Sequence, residues 1–245
     1  MMKAQTDDHI TTARDLRAEV AAEGYTLLLA GELCLSAEAR ESLARLRGDW
    51  ADLPPDEYLA DGGSYRFRRH GRFSLEPETG RLSRSPQSYY YQSGEINGFA
   101  GGIKREFPPL SDGAFENLFL RELVRFNFYH LPVPAGSLRG VWTVDVHIVR
   151  VVATADEPGK PTPEGIHCDG FDFVTFHVVD RVNVTGGENI VYAKDETPLL
   201  RRTLLDPWDS ILADDSRVLH YTTEVRPCDG EVGHRDMLLM SYHCR

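Results

Sequence analysis

The sequence predicts an α+β fold, a β-sandwich or jelly roll buttressed by helices. Two observations carry this. In the first half of the chain, apolar residues recur at helical spacing; beyond Pro132 and Pro134 they recur at every second residue, the spacing of strands. Helices and strands segregated along the chain, rather than alternating, point to α+β architecture. A third observation concerns size: 245 residues with 41% hydrophobic content suffice for one well-buried core. No internal repeat or linker divides the chain. One domain over 1–245 is expected, helix-rich over 1–135 and strand-rich over 136–245.

The elements follow in order. Residues from about Thr11 to Glu23 read as a helix, with Leu16 and Val20 four apart and Gly24 suited to the stop. Tyr25 to Ala30 is a short apolar run, read as a buried strand. Ser36 is an N-cap for a second helix that places Ala39, Leu43, Leu46 and Trp50 on one face, and Pro54-Pro55 breaks the pattern. After the turn signal Asp61-Gly62-Gly63, residues 64–73 alternate aromatic and basic side chains. A strand there sets Tyr65 and Phe67 on one face and Arg66 and Arg68 on the other.

Residues 76–86 read as a polar loop and 88–91 as a strand. Asn97 to Gly102 is glycine-rich without the strand and helix context of a nucleotide loop. Phe115 to His130 is the clearest helix, with Phe115, Leu118, Phe119, Leu123, Phe126 and Tyr129 as an apolar stripe for packing on a sheet. Val141 to Arg150 alternates, with Trp142, Val144, Val146 and Ile148 facing one way and Asp145 and His147 the other. Further strands are expected over 171–179, 189–193, 217–222 and 237–242.

A formal net charge of −11 weighs against a nucleic-acid surface, and no apolar run approaches a bilayer span, so neither nucleic acid nor membrane is expected as a partner. Nothing in the residues specifies an oligomeric state. The N-terminal segment lacks the apolar stretch of a signal peptide. The four cysteines form neither a CxxC pair nor a framework, which fits reduced thiols in a cytoplasmic protein.

The chemistry concentrates in Pro163-Glu164-Gly165-Ile166-His167-Cys168-Asp169-Gly170. In an extended segment His167 and Asp169 share a face, so an imidazole and a carboxylate converge. With 9 histidines in the chain, one HxD is expected by chance, and His234-Arg235-Asp236 is a second. Only the first has a separate downstream strand, 217–222, that delivers a third ligand, His220. Two histidines and one carboxylate with other positions open is the donor set of non-haem Fe(II) oxygenases, and the same three residues could hold zinc. Cys168 points away in an extended segment and is not counted as a ligand. His147 reads as a core or surface histidine, the alternative being a partner that supports the metal ligands, and His9, His70, His130 and His177 have no partner visible in the sequence.

Several blocks carry a resemblance: residues 163–170, Arg181-Val182-Asn183-Val184-Thr185-Gly186-Gly187-Glu188, Asp214-Asp215-Ser216-Arg217-Val218-Leu219-His220 and Arg235-Asp236-Met237-Leu238-Leu239. Tyr65-Arg66-Phe67-Arg68-Arg69 and Ala100-Gly101-Gly102-Ile103-Lys104-Arg105 add to it from the first half. Together they resemble the bacterial 2-oxoglutarate/Fe(II)-dependent dioxygenase family that contains the L-isoleucine and related free amino-acid hydroxylases. The resemblance implies a double-stranded β-helix (jelly-roll) core buttressed by N-terminal helices, Fe(II) held by His167, Asp169 and His220, and 2-oxoglutarate and O2 as co-substrates. The far carboxylate of 2-oxoglutarate needs a fixed cation, and Arg235 in the last strand is the candidate. Two departures stand out: Cys168 sits between the ligands where a larger polar residue is expected, and Met237 stands two positions after Arg235 where a serine is common, with Ser241 further along.

The expected activity is hydroxylation of an unactivated C–H bond in a free amino acid or a small amino-acid-derived metabolite. Four arginines lie within Arg66–Arg72 of an acidic chain. One of Arg66, Arg68 or Arg69 is the expected grip on the substrate carboxylate, the plainer reading being a solvated basic face. Two other functions compete, a zinc hydrolase using the same triad and a non-catalytic jelly-roll binding protein.

Overall fold

The computed structural model describes residues 9–86 and 89–244. The N-terminal segment read above for a signal peptide lies, over residues 1–8, outside them, as does the start of the strand expected over 88–91. In chain order the strands are β1 (Ile10–Thr11), β2 (Tyr25–Leu28), β3 (Cys34–Leu35), β4 (Arg66–Glu76), β5 (Arg81–Arg84), β6 (Trp142–Ala153), β7 (Phe173–Val182), β8 (Val184–Gly186), β9 (Glu188–Tyr192), β10 (Pro198–Thr203), β11 (Ser210–Asp214), β12 (Leu219–Thr222), β13 (Val225–Pro227) and β14 (Gly233–Cys244). The helices are α1 (Leu16–Glu23), α2 (Ala37–Leu46), α3 (Asp112–Phe115) and α4 (Leu118–His130).

Seven antiparallel strands make the main sheet, in the order β2-β11-β7-β14-β6-β4-β5. A smaller sheet, β10-β9-β12, faces it across a cavity lined from both sides. A backbone bridge between His167 and His220 adds the HxD segment beside β12. The layers form the jelly-roll core of an α+β fold.

Period-two patterning explains how one sheet serves two cores. On β6, Trp142, Val144, Val146 and Ile148 join Leu238 and Met240 of β14, Phe73 and Leu75 of β4, and the buried face of α4. The other face of the same strands carries Val149, Val151 and Met237 into the cavity layer with Val178, Val191 and Ile211. Both faces of β6 are therefore buried, although half of its inward positions are polar. Burying a Phe or Leu contributes about 1.5–3 kcal/mol, so Phe119, Leu123 and Phe126 anchor α4 firmly.

Local chemistry sets several boundaries away from the expected ones. α1 starts at Leu16 rather than near Thr11, because the Asp15 side chain accepts from the Ala18 amide as N-cap. Ile10 and Thr11 pair with β3 instead. Gly24 closes α1 at φ +85°, and the Ser36 hydroxyl caps α2 from the Ala39 amide, both as read from sequence. The helix over 115–130 divides: Asn117 caps α4 from the Leu120 amide, leaving Phe115 in the short α3.

The polar stretch 76–86 is not all loop, since β5 forms a hairpin with β4. Its single apolar side chain, Leu82, is buried, and its ladder bonds come from the backbone. Of the strand expected over 88–91, the described part makes only a one-residue bridge, Tyr90 to Arg105. β8, β10, β11 and β13 were not expected. Among the described residues, no helix is long and apolar enough to cross a membrane.

Candidate active site

His167, Asp169 and His220 offer ligand atoms that all lie within 4.8 Å of one another. Asp169 stands between the imidazoles, with Oδ1 3.5 Å from His167 Nε2 and Oδ2 3.6 Å from His220 Nε2. His167 Nδ1 lies 2.9 Å from the Gly165 carbonyl; a carbonyl only accepts, so Nδ1 carries a proton and Nε2 is the ring nitrogen turned toward Asp169. His220 Nε2 is buried with no hydrogen-bond partner among the described residues. Two imidazoles and a carboxylate, with one ring nitrogen orphaned, fit a divalent transition metal.

The electrostatics agree. Burial works to raise Asp169, but the two imidazoles beside it outweigh that and hold the carboxyl well below the ordinary range. Burial likewise opposes charge on His167, yet Asp169, aided by Glu164, raises it to about 9. The site therefore favours a positive charge against Asp169, which a metal ion supplies in place of the proton.

The loop that carries the two upstream donors is pinned by Asp215, 1% exposed. Its carboxylate accepts from three successive amides, Asp169 at 3.0 Å, Gly170 at 2.6 Å and Phe171 at 3.0 Å. Gly170 takes φ +82°, and a Cβ there would meet Ile96 at 2.4 Å, so the turn requires glycine. Cys168 is not part of the metal-ligating group. The second HxD is occupied structurally: Asp236 is held by Arg150 through two 2.7 Å bonds.

Arg235 lies on the cavity face of β14 and is 2% exposed. Its Nη2 donates to Asn189 Oδ1 at 3.2 Å, while Nε is buried without a partner among the described residues. Burial, with the charge of Arg181 added, pushes this guanidinium down to about 9. Ser241 lines the same cavity from the same strand face.

Of the three arginines expected to meet a substrate carboxylate, the structure brings two into the cavity. Arg66 and Arg68 face inward, buried, and share Asp56: Arg66 Nε donates to Asp56 Oδ2 at 2.7 Å and Arg68 Nη1 lies 3.5 Å from it. The basic face of β4 is thus interior, not solvated. Arg69, one residue out of phase, points to the opposite side and donates to the Pro109 and Asp52 carbonyls.

The sequence gives no role to three further cavity residues, Glu164, Arg105 and Gln92, and the structure sets a fourth, His147, on the same wall. His147 Nδ1 is 2.6 Å from Arg68 Nη2; the guanidinium only donates, so Nδ1 accepts and Nε2 bears the proton. That Nε2 is buried without a partner among the described residues, on the cavity wall. Burial and then Arg68 hold the ring well below the ordinary histidine range, hence neutral. Glu164 Oε2 is likewise buried and unpartnered among the described residues, and its Oε1 lies 3.5 Å from His167 Nε2. Arg105 and Gln92 reach in from the irregular segment before α3. Arg105 and Glu164 both lie in the sequence blocks that carry the family resemblance, and position within those blocks was the available signal.

The register sets the layout. Across the main sheet Arg66, Val151 and Arg235 share one row, and Arg68, Val149 and Met237 the next. Two cationic stations are therefore separated by a strip of valines, two strand spacings or roughly 10 Å across. Both stations and the triad line one cavity of about 110 Å³.

Comparison with known proteins agrees with this geometry. The family model for 2OG-Fe dioxygenases matches residues 47–241. L-isoleucine-4-hydroxylase of Bacillus thuringiensis is 24% identical over 227 residues, covering 91% of this chain and 92% of that protein. 3(1)-hydroxy-L-isoleucine 4-dioxygenase of Pantoea ananatis is 25% identical over 209 residues, covering 82% and 81%. The crystal structure of a bsmA homolog from Methylobium petroleophilum PM1 superposes with a TM-score of 0.81 at 32% identity, over 99% of this chain and 97% of that one. The zinc-hydrolase and non-catalytic readings give way: this chain belongs to the 2OG-Fe dioxygenase family and is a 2-oxoglutarate-dependent dioxygenase, an enzyme of the class that works with Fe(II), 2-oxoglutarate and O2.

Proposed function

We propose that the protein hydroxylates an unactivated C–H bond of a free amino acid, or of a small amino-acid-derived metabolite. In this reading His167, Asp169 and His220 hold Fe(II), Arg235 anchors the distal carboxylate of 2-oxoglutarate, and Arg66 and Arg68 hold the substrate carboxylate. The observation that carries it is the pair of buried cationic stations separated by Val149 and Val151. One anion needs one station, and a co-substrate plus an acidic substrate need two. Two relatives named for hydroxylation of isoleucine and of hydroxyisoleucine support the amino-acid class.

When bound, Fe(II) with 2-oxoglutarate and O2 supplies oxidative decarboxylation to succinate and CO2, coupled to insertion of one oxygen atom into the substrate. The protein's part is positional. Arg235 has no carboxylate partner among the described residues, so its charge is available to the co-substrate. Arg68, steadied by Asp56 and His147, turns a guanidinium toward the cavity, and the Nε2 proton of His147 adds a neutral donor beside it. Glu164 offers an unpartnered oxygen to an α-ammonium group. Phe176, Ile190 and Leu239 line the remaining wall, which receives the hydrocarbon arm and excludes water.

A panel of free amino acids, matching amines without the carboxylate, and peptides, incubated with Fe(II) and 2-oxoglutarate, tests the reading by mass spectrometry. Products heavier by one oxygen atom are expected from amino acids alone. Turnover of the amine with the same kcat/KM sinks the carboxylate grip.

A further inference from the structure

Gln92 stands between the substrate arginines and the metal-site carboxylate, and its amide is saturated. The nitrogen donates to the Asp169 backbone carbonyl and to Asp169 Oδ1, each at 3.0 Å. The oxygen accepts from Arg105 Nη2 at 2.6 Å and from Asn97 Nδ2 at 3.1 Å. Reversing the amide would set its NH2 against two donors, so its neighbours dictate its orientation. Gln92 is 5% exposed, Asn97 3% and Arg105 3%, in a segment that closes on itself. Tyr90 and Arg105 exchange two backbone bonds, and the Gly102 amide donates to the Gln92 carbonyl.

Arg105 has a second open side. Its guanidinium lies 4.9 Å from the centre of the Tyr90 ring, Nε is buried without a partner among the described residues, and the side chain lines the cavity beside Arg66 and Arg68. One guanidinium thus touches both the space for an anionic substrate and the amide that holds a metal ligand.

We infer that Gln92 is a positioning residue for Asp169, and that Arg105 acts on the metal site through it. A donor on Oδ1 restrains the carboxylate from turning both oxygens to the metal, which preserves open coordination positions. Arg105 keeps the Gln92 oxygen engaged and so keeps its NH2 aimed at Asp169. An anion drawn to Arg105 thereby changes the affinity of the metal site, and by reciprocity the metal changes the affinity for the anion. The inference rests on the triad holding the metal; it does not require the substrate to be an amino acid.

Co(II) titration of the full chain tests it, with absorbance reporting both affinity and the spectrum of the site. Gln92→Met, which keeps similar bulk without the donors, is expected to weaken Co(II) binding by about 10-fold or more and to shift the spectrum. Arg105→Met should weaken it in the same direction although Arg105 touches no ligand, and the double variant should bind no worse than Gln92→Met alone. A merely structural role would lower the melting temperature and leave spectrum and affinity unmoved. Gln92→Glu, which keeps a partner for Arg105 but sets an oxygen against Asp169 Oδ1, is the second variant if Gln92→Met does not fold, and should weaken binding at least as much. Wild-type Co(II) affinity in the Gln92 variant, or additive losses in the double variant, overturns the inference. His220→Ala is the control for the metal reading: if it binds Co(II) like wild type, the triad assignment fails, whatever the Gln92 variants do.

Discussion

Replacing Arg235 by leucine should make the protein more stable and less able to use 2-oxoglutarate. The guanidinium is 2% exposed, lies near another cation, and bonds only to a neutral amide oxygen in the hydrogen-bond pattern. Its fall from the ordinary arginine value to about 9, at 1.36 kcal/mol per pH unit, corresponds to roughly 5 kcal/mol of unfavourable charge burial. That cost is fully present at neutral pH. It is relieved only as pH rises above about 9, where the folded chain gives up its proton before the unfolded one. Leucine removes the charge but leaves space behind, and the lost contacts return part of the gain. Asn189 Oδ1 is not orphaned, because it also accepts from the Thr222 hydroxyl. A net gain of about 1–3 kcal/mol, or roughly 2–10 °C in Tm, is expected without co-substrate. Binding moves the other way: an unpaired buried carboxylate costs about 2–5 kcal/mol, a rise of roughly 30-fold or more in the 2-oxoglutarate requirement. Lysine, without the fork, should restore part of it. The assay is thermal unfolding with and without 2-oxoglutarate and Mn(II). Wild type should gain about 2.7 kcal/mol at 100 times Kd, and the leucine variant almost none at the same concentration. A leucine variant that melts lower than wild type, and that still gains full stability from 2-oxoglutarate, would refute the reasoning.

Arg68→Met should raise KM for the amino-acid substrate by about tenfold or more, whereas Arg69→Ala should stay within about threefold of wild type, since among the described residues Arg69 bonds only to carbonyls on the far face. Steady-state kinetics decide it, and equal effects at the two positions would undo the assignment of the inward face. His177 is pushed by burial down to about 3, so between pH 6.5 and 3 the unfolded state binds a proton the folded state does not. Stability should therefore fall with falling pH across that window by up to about 1.4 kcal/mol per pH unit from this ring. Urea unfolding of His177→Gln at pH 6 and pH 4 should show a slope shallower by about one proton, and an unchanged slope would count against it.

The chain showed its site more clearly than its layout. His167, Asp169 and His220 were visible because two donors sit in one short segment and the third in a separate strand-like run. The alternation over 64–73 was visible too, but not which face turned inward. That depends on β4 lying between β5 and β6 with both sides covered, a long-range fact no local pattern carries. Arg69 shows the consequence: composition groups it with Arg66 and Arg68, and strand parity separates it. Gln92 and Arg105 were hidden for another reason, because they lie on irregular backbone that has no period to read. β10 and β11 escaped because short strands in the sequence stretch 198–214 compete with turn-forming neighbours such as Asp206-Pro207.

The row-by-row register of β4, β6 and β14 acts as a ruler. Arg66 and Arg68 lie one pleat repeat apart, about 6.8 Å along the strand, and each faces its own valine on β6. On the proposed reading, a substrate carboxylate seated at one row or the other would present a different carbon of its chain to the triad. Regioselectivity would then be a question of which arginine rung holds it. Exchanging Val149 or Val151 for a larger or smaller residue resets the distance without touching a metal ligand.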